Sequence, residues 1–194
     1  MSTQPPVGSK VRVTDPQALR ALSHPLRLRL LGLLRLEGAS TATRLGERVG
    51  ESSGATSYHL RELARWGFVE EDAGRGTGRE RWWRAAHRST SWDAGDFGDA
   101  RDVTDALQAQ VVGLRQRVYS AYLAQRDAVP AEFADAGSLN DTAVVLRPEQ
   151  ARAMAREVAA VLDRWQAASL PPGTPGTALV AAFGDVMPLV DYPL

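Results

Sequence analysis

Residues 52–70 read SSGATSYHLRELARWGFVE. Small and hydroxylated residues open this stretch, Leu60 and Leu63 share one helical face, and Gly67 precedes an aromatic and β-branched run. This order predicts a helix with a serine cap that ends near the glycine and leads into a strand. The first turns of the helix have few apolar side chains to bury. They suit either the open surface of an ordinary all-α domain or contact with a DNA major groove, where hydroxyls and arginines meet phosphates and base edges.

The flanking sequence favours the second alternative. Upstream, Pro25 begins a leucine-rich helix through Leu36, and Ser40 or Thr41 would cap a further helix over residues 42–49. Downstream, two short strands surround a loop with alternating glycines at 73–79, and Trp82 and Trp83 on the return strand must point to opposite faces. Three helices followed by a hairpin are the elements of a winged helix-turn-helix.

Three segments carry a resemblance to a known family. They are LSHPLRLRLLGLL at 22–34, ATRLGERVGESSGATSYHLRELARWGFVEE at 42–71 and GRGTGRERWWRA at 74–85. In sequence and order they resemble the winged-helix repressors of the ArsR type over about residues 14 to 88. The resemblance implies a DNA-binding domain in which Arg27 faces the DNA backbone or ties helices together. The chain departs from the metal sensors of that family because it contains no cysteine.

The candidate DNA contacts lie on the third helix of the motif and on the wing. The cap should leave free backbone amides that favour a phosphate, the hydroxyl of Tyr58 should reach the backbone, and arginines at the hairpin should reach the minor groove or nearby phosphates. His59 as a zinc ligand is the less favoured alternative. The expected DNA-binding residues are Arg27, Ser52, Ser53, Gly54, Thr56, Ser57, Tyr58, His59, Arg61, Arg75, Thr77, Arg79 and Arg81.

The zero net charge of the chain hides an asymmetry between its halves. Residues 1–90 contain 15 basic and 9 acidic residues, whereas residues 91–194 contain 8 basic and 14 acidic residues. The first half therefore has an excess of six positive charges and the second an equal negative excess. A basic first half suits phosphate contacts, and an acidic second half should lie away from DNA.

Composition excludes several classes of protein. A hydrophobic content of 44% and a charged content of 24% are ordinary for a globular protein. No apolar run approaches the roughly 18 residues of a membrane helix, and residues 1–6 lack the pattern of a secretion signal, so we expect a cytoplasmic protein without membrane contact. The absence of cysteine excludes disulfides and thiolate metal sites. No catalytic constellation emerges, so neither an enzyme nor a cofactor nor a bound metal is expected. Arginine outnumbers lysine 22 to 1, which is typical of a GC-rich bacterium.

The predicted fold is mainly α with a small β component, in four parts. Residues 1–13 form a flexible arm, 14–88 the winged domain, 89–98 a linker, and 99–194 a region for dimerisation and effector binding. The last region should open with a long amphipathic helix, followed by a strand at 141–146, a helix from Pro148 and a second strand at 177–183. The apolar seam of the long helix is expected to join two copies of the chain through Val103, Leu107, Val111, Leu114, Val118 and Tyr122. Aromatic residues of the same region that would line a pocket for a small apolar ligand are Tyr119, Phe133, Trp165 and Phe183.

The sequence thus predicts a homodimeric transcriptional regulator, a repressor that binds double-stranded operator DNA and responds to a small effector. An alternative is a winged-helix scaffold for protein interactions without specific DNA binding. A metal sensor that uses histidine and aspartate is a further, less favoured alternative.

Overall fold

The computed structural model describes residues 9–75, 80–92, 94–98, 100–138, 140–171 and 173–190. The chain divides into two compact units, Met1–Arg117 and Val118–Leu194. The division falls inside a long helix and not in the expected linker at 89–98. The elements of the first unit are β1 (Lys10–Arg12), α1 (Pro16–Leu22), α2 (Pro25–Glu37), β2 (Ser40–Thr41), α3 (Ala42–Val49), α4 (Ser53–Arg65), β3 (Val69–Glu71), β4 (Trp82–Ala85), β5 (Ser89–Ser91), a 3₁₀ turn (Ala94–Phe97) and the first part of α5 (Arg101–Ala124).

Local caps begin the first two helices. The carboxylate of Asp15 accepts a hydrogen bond from the Gln17 amide at 2.7 Å, and Pro16 occupies the first turn of α1. At α2 the cap is His24, whose Nδ1 accepts from the Leu26 amide at 3.2 Å. Helix α2 begins at Pro25, as the sequence predicts.

The turn between α3 and α4 depends on two glycines. Gly50 ends α3 with φ = 75°, a left-handed conformation that favours glycine. Gly46 lies one turn earlier, where an added Cβ would meet the Glu51 carbonyl oxygen at 2.6 Å and the Thr56 Oγ1 at 3.2 Å. The close approach of the two helices therefore requires a residue without a side chain at position 46.

A small antiparallel sheet in the order β2-β4-β3 forms the wing. Its central strand pairs Trp82 with Thr41 on one side and Ala85 with Val69 on the other. Along β4, Trp83 is buried at 5% exposure whereas Trp82 is only partly buried, so the two indoles lie on opposite faces as predicted.

The core of the first unit is built from leucines. The side chains of Leu30, Leu60 and Leu63 are fully buried, together with Phe68 at the start of β3. Arg35 of α2 lies at the edge of this core, where its Nε donates to the His87 carbonyl at 2.9 Å and its guanidinium donates to the Thr90 hydroxyl at 2.7 Å. Burial lowers the pKa of Arg35 to about 10, so it remains charged at neutral pH.

The described end of the predicted arm pairs with the start of the predicted linker. Lys10–Arg12 pairs in parallel with Ser89–Ser91, Val13 is buried, and the guanidinium of Arg12 contacts both carboxylate oxygens of Asp96 at 2.8 and 3.0 Å. A part of the predicted arm and a part of the predicted linker therefore each provide the strand that the other requires.

The long helix α5 contributes to the core of the first unit. Val103 and Leu107 are 2% and 0% exposed and belong to the same hydrophobic cluster as the leucines of α1, α2 and α4. Val111 is partly buried against that cluster, and Leu114 and Val118 are half-buried. The prediction that Val103 and Leu107 form a seam between two copies is wrong, because these side chains are already enclosed by their own chain.

The second unit contains the end of α5, two 3₁₀ turns (Arg126–Ala128 and Ala131–Phe133) and α6 (Pro148–Ala167). Helix α6 begins at Pro148, as predicted. Residues 141–146 and 177–183, which were expected as strands, form no strand pairing and are exposed. The expected strand-helix-strand module is therefore reduced to a helix with extended flanking segments. In the part of the chain that the structure describes, no helix combines the length and hydropathy needed to span a membrane.

Candidate nucleic-acid interface

A concave surface lies between the recognition helix α4, the start of α3 and the wing. It encloses about 550 Å³. Helix α4 contributes Ser53, Ser57 and Arg61, which are four residues apart and therefore share one face. The full set of lining residues is Thr41, Ala42, Thr43, Ser53, Ser57, Arg61, Glu80, Arg81 and Trp83. Hydroxyls and guanidinium groups on a protruding helix next to a hairpin are the chemistry that contacts DNA phosphates and base edges.

The N-terminus of α4 is capped and open. Ser52 Oγ accepts from the Ala55 amide at 3.2 Å, which satisfies one of the amides that a helix start leaves unpaired. Gly54 follows on the exposed surface, and an added Cβ there would have only the Ser52 hydroxyl as a neighbour, at 4.0 Å. No internal contact therefore explains the glycine at position 54. A small residue at this point allows another surface to approach the backbone closely.

Thr56 is the one member of the predicted contact set on α4 that the structure buries. Its side chain is 0% exposed, and its hydroxyl donates to the Ser52 carbonyl oxygen at 3.0 Å. The side chain packs toward Gly46 across the helix-turn-helix. The prediction that Thr56 contacts DNA is wrong for its side chain, which instead holds α3 against α4.

Tyr58 and His59 lie on the flank of the same helix. Tyr58 is 55% exposed, and its ring contacts the His59 ring edge to face at a centroid distance of 5.2 Å. The His59 ring also stacks on His24 at 4.4 Å, and its Nδ1 is enclosed without a hydrogen-bond partner among the described residues. Burial lowers the pKa of His59, and the neighbouring His24 and Arg27 lower this pKa further. Tyr58 is thus accessible to a ligand, whereas His59 is held mainly by its own chain.

Arg27 connects two helices of the first unit. Its guanidinium donates to the Arg20 carbonyl oxygen at 3.2 Å, which bridges α2 to α1. The side chain is half-buried and also lines a second, smaller cleft. Of the two roles implied by the resemblance, the structure provides the helix tie, and contact with the DNA backbone stays a prediction.

The described arginines of the wing are paired with acids of the same hairpin. Arg81 Nε lies 3.2 Å from the Glu71 carboxylate, and Arg75 Nε lies 3.8 Å from that of Asp72. Both arginine side chains are about half exposed, so these pairs are weak and can exchange for phosphate oxygens. The two other residues predicted at the tip, Thr77 and Arg79, lie outside the described residues.

Two residues of α3 escaped the sequence prediction. Thr43 lines the concave surface, and the guanidinium carbon of Arg44 lies 5.0 Å above the Trp82 ring. Arg75 lies near the same ring, at 5.6 Å. The sequence did predict the Thr41 cap, which places both residues in the first turn of α3.

The residues predicted for ligand binding in the second unit are only partly brought together. Tyr119 and Phe183 have ring centroids 5.7 Å apart. Trp165 is 68% exposed and so encloses no cavity, and Phe133 is half-buried. Tyr122, at the end of the predicted seam, is 43% exposed. Among the described residues, no three histidine, aspartate or glutamate side chains group as metal ligands.

A capped recognition helix, a tight glycine turn and a three-stranded wing define a winged helix-turn-helix, the class of DNA-binding domain found in transcriptional regulators. Residues 22–72 match the family described as "Helix-turn-helix domain". The predicted winged helix-turn-helix fold of the first unit is thereby confirmed. No curated protein matches the chain.

Two of the solved structures that match part of the chain are described as regulators. One is the solution NMR structure of a homodimeric winged helix-turn-helix DNA-binding domain from Mycobacterium bovis, "a possible ArsR-family transcriptional regulator", at 24% identity and a TM-score of 0.33, covering 55% of this chain and 79% of that chain. The other is the crystal structure of a "Possible transcriptional regulator for arsenical resistance", at 29% identity and a TM-score of 0.32, covering 50% of this chain and 94% of that chain. The assignment of the fold rests on the elements of this chain and on the match to the family.

Proposed function

We propose that the protein is a bacterial transcriptional regulator of the ArsR type that binds double-stranded DNA as a homodimer and occludes a promoter. The observation that carries the proposal is the polar face of α4, where Ser53, Ser57 and Arg61 project beside the wing. Most residues that line this surface are polar or charged, and they offer donors to phosphates and base edges. A regulator of this kind acts in the cytoplasm, where the chromosome lies.

The charge distribution supports an arrangement in which the first half of the chain faces DNA and the second half lies away from it. The excess of positive charge lies within residues 1–90, which include the whole wing and recognition helix, and the negative excess lies within residues 91–194. Phosphate contacts by the first part release counterions from DNA, whereas an acidic second part is repelled by DNA.

The second unit supports self-association. In the described residues from 118 onward no side chain is fully buried, although α6 has an apolar face. A unit of this size without a core gains little stability from burial, so its apolar surface requires a partner. A second copy of the chain presents the same apolar surface and gives the two-fold symmetry that winged-helix proteins use to contact two half-sites. The large apolar side chains that remain most exposed are Leu123, Val145, Trp165, Leu179, Val180, Met187 and Val190.

Binding to duplex DNA as a function of salt tests the proposal. The affinity should fall steeply as salt rises, with a slope of about −0.9 for each phosphate neutralised. Arg61→Ala and Arg81→Ala should each lower the affinity, whereas Arg29→Ala, on an exposed part of α2 away from the concave surface, should not. A chain that binds DNA without a salt slope, or does not bind it, contradicts the proposal and favours the alternative of a protein-interaction scaffold.

The mass of the full chain in solution tests the dimer. Sedimentation equilibrium at micromolar concentration should give twice the 21.0 kDa of one chain. A monomer at these concentrations would contradict the homodimer while leaving DNA binding by one domain open to the salt experiment.

A further inference from the structure

A second cleft lies on the other flank of the recognition helix and has no role so far. It encloses about 280 Å³, near the lower limit of about 300 Å³ for small-molecule pockets. Helix α1 contributes Gln17, Arg20 and Ala21, α2 contributes Arg27, and the end of α4 contributes Glu62, Arg65 and Trp66. A space of this size with polar walls suits a small ion or one group of a larger ligand.

The walls of this cleft carry an excess of positive charge. Three arginines line it against one acid, Glu62. A further acid, Asp102, approaches Arg20 from α5 at 3.6 Å, but both side chains are more than 60% exposed, so this pair is weak. Arginine presents planar N–H donors that match the oxygens of a phosphate.

Two of the arginines that line the cleft have features that favour an anionic ligand. A terminal nitrogen of Arg27 donates a hydrogen bond to the Arg20 carbonyl oxygen. The Nε of Arg27 is enclosed and has no hydrogen-bond partner in the described part of the chain. An enclosed guanidinium N–H without an acceptor is costly, and a movement of the side chain toward an anion in the cleft would relieve this cost. The Arg65 guanidinium carbon lies 5.8 Å from the centre of the Trp66 ring. Stacking on an aromatic ring engages the face of a guanidinium and leaves the N–H groups in its plane for a ligand.

The position of the second cleft on α4 indicates which molecule could place an anion in it. The first concave surface uses residues 53, 57 and 61, and the second cleft uses residues 62, 65 and 66. Relative to Arg61, Arg65 is turned by about 40° around the helix axis, Glu62 by about 100° and Trp66 by about 140°, so the second cleft lies further along α4 and mostly on another side of the helix. A helix in a major groove about 12 Å wide has a phosphate backbone on each side. The wing lies beside one of them, and the second cleft lies on the flank toward the other.

We propose that this second cleft is a phosphate-binding site in which Arg20, Arg27 and Arg65 hold the oxyanion. The phosphate comes either from the DNA strand across the groove from the wing or from a free phosphorylated anion. The first source rests on the proposed function of the domain, and the second does not.

Two measurements on the full chain distinguish these sources. In the first, melting is compared in inorganic phosphate and in chloride at equal ionic strength, for the wild type and for Arg20→Ala, Arg65→Ala and Arg29→Ala. All three substituted residues are exposed, so the variants should fold. Phosphate stabilises proteins in general, and this effect should appear in every variant. The wild type and Arg29→Ala should gain a further, saturable rise in Tm that the other two variants lack.

In the second measurement the salt slope of binding to duplex DNA is determined for the same four proteins. If the DNA backbone occupies the cleft, Arg20→Ala and Arg65→Ala should each reduce the slope by about 0.9 relative to Arg29→Ala. An unchanged slope with a lost phosphate-dependent rise in Tm indicates a free anion. Variants that match Arg29→Ala in both measurements overturn the site. A wild type without salt-dependent DNA binding would contradict the proposed function, and the melting experiment would still decide on the cleft.

Discussion

The imidazole rings of His24 and His59 stack with their centroids 4.4 Å apart, which joins the start of α2 to the recognition helix. Burial lowers the pKa of both histidines, and the nearby Arg27 lowers it further, while Glu51 opposes the shift. The His24 ring also lowers the pKa of His59, whereas Glu62 raises this pKa. Protonation at His24 Nδ1 would in addition remove the acceptor that caps α2. The folded protein therefore favours neutral rings at this contact.

The first prediction concerns the pH dependence of stability. Since both pKa values are lower in the folded state, the unfolded chain takes up protons first as the pH falls below about 6.5, the ordinary pKa of histidine. The free energy of unfolding should be highest above that pH and should fall as the pH drops through the folded pKa values. Urea denaturation between pH 7.5 and 5 measures this loss.

Two conservative variants are the control for this pH dependence. Asparagine is a good helix cap, so His24→Asn should keep the cap of α2 and remove one titrating group. His59→Gln removes the other. The doubly substituted protein should lose less stability than the wild type over the same interval. An equal loss in both proteins would show that other groups cause the pH dependence.

A second prediction separates binding from stability at Gly54. An added methyl group meets no atom of the domain closer than 4.0 Å, and alanine is the better helix former, so Gly54→Ala should raise the stability by up to about 0.5 kcal/mol. If DNA approaches the backbone here, the same change should lower DNA affinity. Thermal melting and DNA titration on the same variant provide the two results. Unchanged affinity would remove Gly54 from the interface.

A third prediction concerns the turn between α3 and α4. Gly46→Ala places a Cβ 2.6 Å from a backbone oxygen, so the two helices must move apart. We expect a loss of about 1–3 kcal/mol, typical of overpacking, with weaker DNA binding because α4 shifts. Gly32→Ala is the matched control, since nothing lies within 4 Å of its added Cβ and the helix should gain stability. Equal effects of the two changes would contradict the role of Gly46.

The elements that the sequence predicts well are those whose causes are local. The Thr41 cap and the Ser52 cap both appear where expected, because a cap depends on only a few neighbouring residues. The burial of Thr56 was missed although it lies four residues before Leu60, on the apolar face. A hydroxyl suggests exposure in the sequence, and only the packing against α3 shows that it is internal.

The remaining errors come from partners distant in the chain. Residues 10–13 alternate between basic residues and valines, a strand pattern, but the partner strand is some eighty residues away, at 89–91. Conversely, residues 141–146 and 177–183 have the β-branched composition of strands and pair with no strand among the described residues. Composition indicates what a segment would do in a sheet, and the presence of that sheet depends on tertiary contacts.

The last prediction tests how α5 divides its roles between the two units. Leu107 is fully buried in the first unit, so Leu107→Ala should lower the free energy of unfolding by about 2–5 kcal/mol. Leu114 is only half-buried and lies beyond that core, so Leu114→Ala should cost the first unit little stability and should weaken self-association. Denaturation at fixed concentration and sedimentation over a range of concentrations measure the two effects separately. The opposite outcome would be that Leu107→Ala dissociates the protein without reducing the stability of its winged domain. The dimer seam would then begin at the start of α5, and Val103 and Leu107 would be buried between two chains in solution.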